Sequence, residues 1–355
     1  MVMVSSPLET QAYYMIKKIA IVILNWNGRK YLESFLPSVC SNTYPNLEIV
    51  IGDNGSTDDS ISFLQEKYPF IKVIETGTNL GFAGGYNEVL KNLEADYFIL
   101  LNSDVEVTDN WVEPLITLME KNPSIAACQP KICAYHQKSE FEHAGAAGGF
   151  IDKLGYPFCA GRILDTIETD HGQYNNSREI FWASGAALCI KAEAWKKVQG
   201  FDKDFFAHME EIDLCWRLKA IGYKIWYCGQ SVVYHVGGGT LNKENPFKTY
   251  LNFRNNLFML QKNLPFWRSL FTIFIRFWLD FLALLHFLFQ GKRKDAIAIS
   301  KAHIHFFRNF NKTVRKRKQI KKIKSISNIY QGSIIWFYFV KGKKKFSQLA
   351  ANRFS

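Results

Sequence analysis

The apolar run Tyr97-Phe98-Ile99-Leu100-Leu101 passes without a break into Asn102-Ser103-Asp104, so a buried strand delivers a carboxylate at its tip. An oxygen ligand in that place can hold a hard divalent cation, which keeps open positions for substrate phosphates. Such a cation on a diphosphate neutralises the charge that builds as the phosphate leaves. The plain alternative is that Asp104 caps the following turn. A second acidic group stands in Phe205-Phe206-Ala207-His208-Met209-Glu210-Glu211-Ile212-Asp213-Leu214-Cys215-Trp216-Arg217. With a helix starting near residue 210, Glu210, Asp213 and Arg217 share one face, and Asp213 can pair with Arg217. Glu211 points elsewhere and is the carboxylate least committed to a local ion pair, free to take a proton from an attacking hydroxyl as general base. The alternative is a solvated helix face, against which stand the surrounding aromatics Phe201, Phe205, Phe206 and Trp216. His235 ends an apolar stretch ahead of a glycine run at 237–239, where an imidazole can complete a metal site or serve as a structural residue.

These groups need elements to position them. Ile19 to Leu24, Leu47 to Ile51, Ile71 to Ile74 and Tyr97 to Leu101 are short apolar runs of strand length. Helical patterns lie between and after them, at about 29 to 40, 58 to 67, 83 to 94 and 110 to 121. Alternation of this kind predicts an open α/β sheet, mostly parallel, that binds ligands at the C-terminal ends of its strands. Behind those ends stand Asn25-Trp26-Asn27-Gly28, Asp53-Asn54-Gly55-Ser56 and Asn102-Ser103-Asp104, with Asn79-Leu80-Gly81-Phe82-Ala83-Gly84-Gly85-Tyr86-Asn87 near the third. One such cluster is an ordinary turn. Four in register make an edge where backbone amides and side-chain oxygens meet a ligand. No G-x-G-x-x-G follows the first strand and no G-x-x-x-x-G-K-[ST] occurs, which excludes the dinucleotide-binding and P-loop readings.

With 48% hydrophobic and 21% charged residues, the chain is too apolar for disorder and too charged for a polytopic membrane protein. Its seven cysteines include no C-x-x-C pair, and most sit in apolar runs, as expected of buried thiols in a reducing compartment. The first 17 residues lack the pattern of a secretory signal, so a cytoplasmic protein is expected. The net charge of +12 is uneven: residues 265–355 hold 20 Lys and Arg against Asp280 and Asp295, while the preceding 264 residues sum to −6. Residues 1–16 read as an N-terminal extension, 17–262 as the catalytic domain, and 263–355 as a basic, aromatic, helical tail.

Within the tail, Arg268, Arg276, Asp280 and His286 interrupt the apolar run from 265 to 290, so no uninterrupted stretch reaches the roughly 20 residues of a membrane span. Arg276 and Asp280, at i, i+4, can form the polar edge of a helix lying in a membrane interface. Lys292-Arg293-Lys294, Arg315-Lys316-Arg317-Lys318, Lys321-Lys322 and Lys343-Lys344-Lys345 supply cations for anionic lipids. Peripheral attachment at the cytoplasmic face of the membrane is the expectation. A helical hairpin packed on the catalytic domain, or on a second subunit in a homodimer, is the alternative. Nucleic acid is not expected, since the tail matches no recognition module.

The ordered set Asn-Trp-Asn-Gly, Asp-Asn-Gly-Ser-x-Asp, Asn-x-Gly-Phe-Ala-Gly-Gly-x-Asn, Asn-Ser-Asp, Trp-x-Ser-Gly-Ala and Glu-Glu-x-Asp-Leu-Cys-Trp-Arg resembles the inverting family 2 glycosyltransferases, in particular their rhamnosyltransferase-like branch, over roughly residues 17 to 260. The resemblance implies a GT-A fold and a nucleoside-diphosphate-sugar donor. By it, Asn25, Asn27 and Asp53, with Asn54 and Ser56, hold the base and ribose, while Asn79, Gly81 and Asn87 flank the ribose and diphosphate. Asn102, Ser103 and Asp104 stand at the family's D-x-D motif, with Asn102 departing from its first Asp. Asp104 and His235 then hold Mg2+ or Mn2+. Glu210-Glu211 stands where Glu-Asp is usual, making Glu211 the base, and Trp182, Ser184 and Gly185 line the acceptor side. The implied acceptor is a glycan or lipid-linked sugar, in surface polysaccharide synthesis. A degenerate relative that only binds nucleotide-sugar or tethers partner enzymes is the other class.

Overall fold

The structure, a computed structural model, describes residues 16–237, 245–318 and 326–355. The N-terminal extension up to residue 15, most of the glycine run after Gly237 and the Lys321-Lys322 cluster lie outside the described residues. The first half of the chain builds β1 (Ile19–Asn25), α1 (Arg29–Cys40), β2 (Leu47–Asp53), α2 (Ser60–Lys67), β3 (Lys72–Glu75), α3 (Gly81–Leu90), β4 (Tyr97–Asn102), β5 (Val105–Val107), α4 (Val112–Lys121) and β6 (Ile125–Ala134). After β7 (Gly149–Asp152), β8 (Pro157–Cys159), β9 (Arg162–Ile163), β10 (Thr166–Ile167) and β11 (Arg178–Ile180) come β12 (Ala187–Lys191), α5 (Ala192–Lys197), α6 (Glu210–Ala220) and β13 (Lys224–His235). Helix α7 (Pro246–Asn263) closes the preceding domain, and the extension holds α8 (Phe266–Phe289), α9 (Arg293–Arg308), α10 (Phe310–Arg317) and β14 (Ile329–Tyr330).

Among the described residues nine strands form the main sheet, in the order β11-β13-β6-β12-β4-β1-β2-β3 with β5 paired to β13. The run β4-β1-β2-β3 is parallel, and β13 is parallel to β6, while β12 lies antiparallel between β4 and β6. Both faces of β1 are covered: Ile19, Ile21 and Ile23 enter one core, Ala20 and Val22 the other. That is why the strand reads as a continuous apolar run. Helix α1 buries Leu32, Phe35, Leu36 and Val39, and α4 buries Val112, Leu115, Ile116 and Met119, each the i, i+3, i+4, i+7 stripe of a helix covering a sheet. All seven cysteines are free thiols and six are buried.

The basic extension folds back on the rest of the chain. The strand β14 pairs in parallel with β7 and completes a second sheet, β10-β9-β8-β7-β14. Helices α8 and α9 form a hairpin packed on α7. Two expectations are corrected here. The apolar run is one continuous helix of 24 residues, long and apolar enough by length and composition alone to cross a membrane. The Arg276–Asp280 pair does form, at 3.3 Å, but it is buried against the protein instead of forming a solvent edge. Arg276 donates to the Leu154 carbonyl and Asn256, and lies 3.8 Å from the centre of the Tyr156 ring, while His303 on α9 meets Asp280 at 3.0 Å. A buried pair costs too much to leave unpartnered, so the polar stripe turns inward.

Candidate active site

The C-terminal ends of β1, β2 and β4 open into a cleft of about 770 Å³, a size typical of small-molecule sites. Asn27, Asn54, Asn79, Gly81, Asn102, Ser103, Asp104, Ser184, Gly185, Glu210, Glu211 and His235 all line it. The expected edge is therefore one site. Its inner framework is a hydrogen-bond lattice. Asn25 donates to Asp53 (3.2 Å) and to the Ser56 hydroxyl (3.1 Å), and Asp53 accepts from the amides of Gly55 and Ser56. Asn54 donates to Asn79 (3.2 Å) and accepts from the Leu80 amide (3.0 Å), tying the second loop to the start of α3. That helix begins at Gly81 with φ +71°, where a Cβ would meet the Phe206 ring at 2.5 Å.

Some expected residues do not face the cleft. Asn25, Asp53 and Ser56 are not among its lining residues: Asp53 and Ser56 are bonded to the Asn25 amide and to loop amides, while Asn25 Oδ1 is buried without a hydrogen-bond partner. Asn87 points away: it donates to the Phe201 carbonyl (2.8 Å) and accepts from the Phe201 amide (2.9 Å), fastening the loop before α6 to α3. Trp182 is core packing, buried against Gly149 with its indole donating to the Phe150 carbonyl at 2.9 Å. In the same loop Ser184 and Gly185 reach the cleft, and the Ser184 hydroxyl donates to the Ala144 carbonyl (2.6 Å).

Asp104 and His235 meet at 3.1 Å, carboxylate oxygen to Nε2, and Asn102 reaches the same ring nitrogen at 3.4 Å. Register brings them together, because β5, right after Asp104, pairs with the end of β13. On the ring's other side Nδ1 lies 3.3 Å from Glu142, a residue with no motif around it in sequence. Burial disfavours the charged imidazole, but Asp104 and then Glu142 outweigh it and raise its pKa to about 10. Carboxylate and imidazole form a donor pair suited to a divalent cation once the cation displaces the ring proton. Among the described residues no group of three or more His, Cys, Asp or Glu is arranged to hold one. Two protein ligands leave the remaining positions to a ligand's oxygens.

Facing this pair is the start of α6. Asp213 pairs with Arg217 at 2.8 Å, as the spacing predicts, and also with Lys262 (2.7 Å) and Asn263 (2.8 Å) of α7. Glu211 keeps a buried carboxylate oxygen without a partner, and burial raises its pKa to about 7 against three backbone hydrogen bonds that lower it. Glu210 likewise has an unpartnered oxygen, and burial and then Glu211 push it well above the carboxylate range. Ahead of the helix, Phe206, His208 and Met209 all have positive φ (65°, 69° and 73°), a costly backbone for residues with side chains. Helix α7 holds it. Asn255 donates to the carbonyls of Phe205 (2.9 Å), Ala207 (2.8 Å) and His208 (2.7 Å), and Arg254 to those of Asp204 (3.0 Å) and Phe205 (2.8 Å). His208 lines the cleft as a neutral imidazole, burial and nearby Lys248 lowering its pKa to about 4.

Residues 20–176 match the sequence profile of Glycosyl transferase family 2. The N-acetylglucosaminyl-diphospho-decaprenol L-rhamnosyltransferase of Mycobacterium tuberculosis is 24% identical over 265 residues, covering 70% of this chain and 86% of that protein. The poly-beta-1,6-N-acetyl-D-glucosamine synthase of Staphylococcus epidermidis is 26% identical over 235 residues, 64% of this chain and 53% of its own length. Among solved structures, the mannosyltransferase PcManGT from Pyrobaculum calidifontis in complex with GDP-Man and Mn2+ aligns with a TM-score of 0.50 at 12% identity, over 86% of this chain and 85% of that one. GalNAc-T7 with UDP, GalNAc and Mn2+ gives a TM-score of 0.54 at 15% identity over 70% of this chain, which spans 48% of that structure. With both the likeness is one of fold, the GT-A arrangement of a mostly parallel sheet flanked by helices.

Proposed function

We propose that this chain, whose residues 20–176 match the profile of Glycosyl transferase family 2, is a glycosyltransferase that moves a sugar, with inversion, from a nucleoside-diphosphate-sugar to a hydroxyl of a glycan or lipid-linked acceptor in surface polysaccharide synthesis. One observation carries the reading. Glu211, unpaired and with a pKa raised to about 7, faces the same cleft as Asp104 and the strand-tip loops. A base with that pKa is matched to proton abstraction near neutral pH. Glu211 takes the proton of the acceptor hydroxyl, and the hydroxyl oxygen bonds to the anomeric carbon as the bond to the diphosphate oxygen breaks on the opposite face. Glu210, kept neutral, adds no second charge beside the base. Asn27, Asn54, Asn79 and Ser103 orient the donor, with Asn25, Asp53 and Ser56 fixing their loops. Ser184 and Gly185 border the acceptor side.

Asp104 and His235 would hold Mg2+ or Mn2+, which when bound neutralises charge on the departing diphosphate. Rhamnose as the sugar and a lipid-diphosphate acceptor follow by analogy with the relative from Mycobacterium tuberculosis. Such an acceptor places the enzyme at the inner face of the cell membrane. The test is a thermal-shift panel of nucleotide-sugars, with and without Mn2+ or Mg2+, on the wild type and Asp104→Ala, followed by transfer assays with the donor that binds. A metal-dependent shift for one donor, lost in Asp104→Ala, is expected. A shift that survives Asp104→Ala refutes the metal assignment, and binding without any transfer refutes catalysis.

A further inference from the structure

Helix α8 has two unlike faces. Its buried residues are Ser269, Thr272, Ile273, Arg276 and Asp280; Arg276 meets α7 and the 154–156 loop, Asp280 meets α9, and the Ser269 hydroxyl accepts from Arg317 of α10. On the opposite face Trp267, Phe271, Phe274, Trp278, Leu282 and Phe289 stand in the open, Trp267 at 79% and Phe289 at 90% exposure. The first four follow a spacing of four, three and four residues, one stripe of a helix about 36 Å long. Soluble surfaces rarely expose apolar stripes of that extent. Exposed cations bracket it: Arg268 at one end and Lys292, Arg293 and Lys294 at the other. The carboxylates of the region are engaged, Asp280 with Arg276 and His303, and Asp295 with Thr249 at 2.6 Å.

Resting on the proposal of a lipid-linked acceptor, we propose that α8 lies flat in the surface of an anionic bilayer, its aromatic stripe among the upper acyl chains and its flanking cations among the headgroups. Charge complementarity selects this occupant. Two copies of the chain paired through the same face would bring like-charged ends together, whereas anionic lipid neutralises them. The grip of Leu154, Asn256 and His303 on Arg276 and Asp280 keeps the helix on the protein, in the plane of the membrane and not across it.

The full chain is tested by flotation with vesicles of phosphatidylcholine, alone or mixed with phosphatidylglycerol, and by quenching of tryptophan emission with brominated acyl chains. The expected result is flotation with the anionic vesicles, with quenching. Phe274→Glu/Trp278→Glu, at exposed positions, should weaken partitioning on the order of 100-fold. Reversing Lys292 or Arg293 to Glu, a change of two charges, should weaken it about 30-fold each. Transfer to a water-soluble acceptor should be unchanged in these variants. Absence of flotation for the wild type overturns the proposal, as does unchanged binding of the double variant. A dimer lost in the double variant, without vesicle binding, names a second copy as the occupant and also overturns it. Failure on vesicles with soluble transfer intact leaves the enzymatic reading standing, and the reverse result leaves the surface standing.

Discussion

Replacing Glu211 by Gln keeps the shape of the side chain and removes a charge that burial disfavours. An unfolded glutamate gives up its proton around pH 4.5, whereas the folded one holds it until about 7. Between those values the native state binds the extra proton, so wild-type stability falls as pH rises through the window and levels off above it. The gap corresponds to about 3 kcal/mol. Glu211→Gln lacks this loss, so its advantage over the wild type should grow from near zero at about pH 4.5 to about 3 kcal/mol at about pH 8. Urea unfolding of both proteins across this range measures it. In the same variant transfer should fall about 10²- to 10⁴-fold while donor binding persists, and wild-type kcat/KM should climb with pH toward about 7. A stability difference that does not change with pH refutes the buried-carboxylate reasoning, and wild-type turnover in Glu211→Gln refutes the base.

Two further outcomes follow from α7. Asp213→Ala leaves Arg217 without its buried carboxylate and Lys262 with Asp202 alone, and should cost about 3–5 kcal/mol, read as a lower urea midpoint at an unchanged slope. Asn255→Ala strips the Ala207 and His208 carbonyls of their side-chain donor, leaves the Phe205 carbonyl only that of Arg254, and should destabilise the chain by about 1–3 kcal/mol. It should also lower kcat more than it changes donor affinity, which steady-state kinetics beside a donor thermal shift would separate.

Residues whose environment is local could be read from sequence. The boundaries of β1, α1, β2 and β4 follow from apolar runs and helical stripes that each element carries within itself. The Asp213–Arg217 pair spans one helical turn. Long-range partners were not legible. Asn87 resembles a ligand residue until Phe201 captures it, and Trp182 until the Phe150 carbonyl does. Glu142 reaches His235 only because the loop after β6 passes the end of β13. The charges in α8 read as its wet edge because nothing in sequence says that Asn256 and His303 wait behind them.

The grip of α7 on the loop before α6 divides the labour of the site along the chain. The strand-tip loops that form the proposed donor edge are complete by residue 104, whereas the proposed proton acceptor is held in place by Arg254 and Asn255. A chain cut ahead of Pro246 would keep the sheet but present its glutamates on an unsupported, strained loop. On the proposed roles, the donor edge is therefore synthesised ahead of the support for the base, and the helix that gives that support also carries α8 on its back.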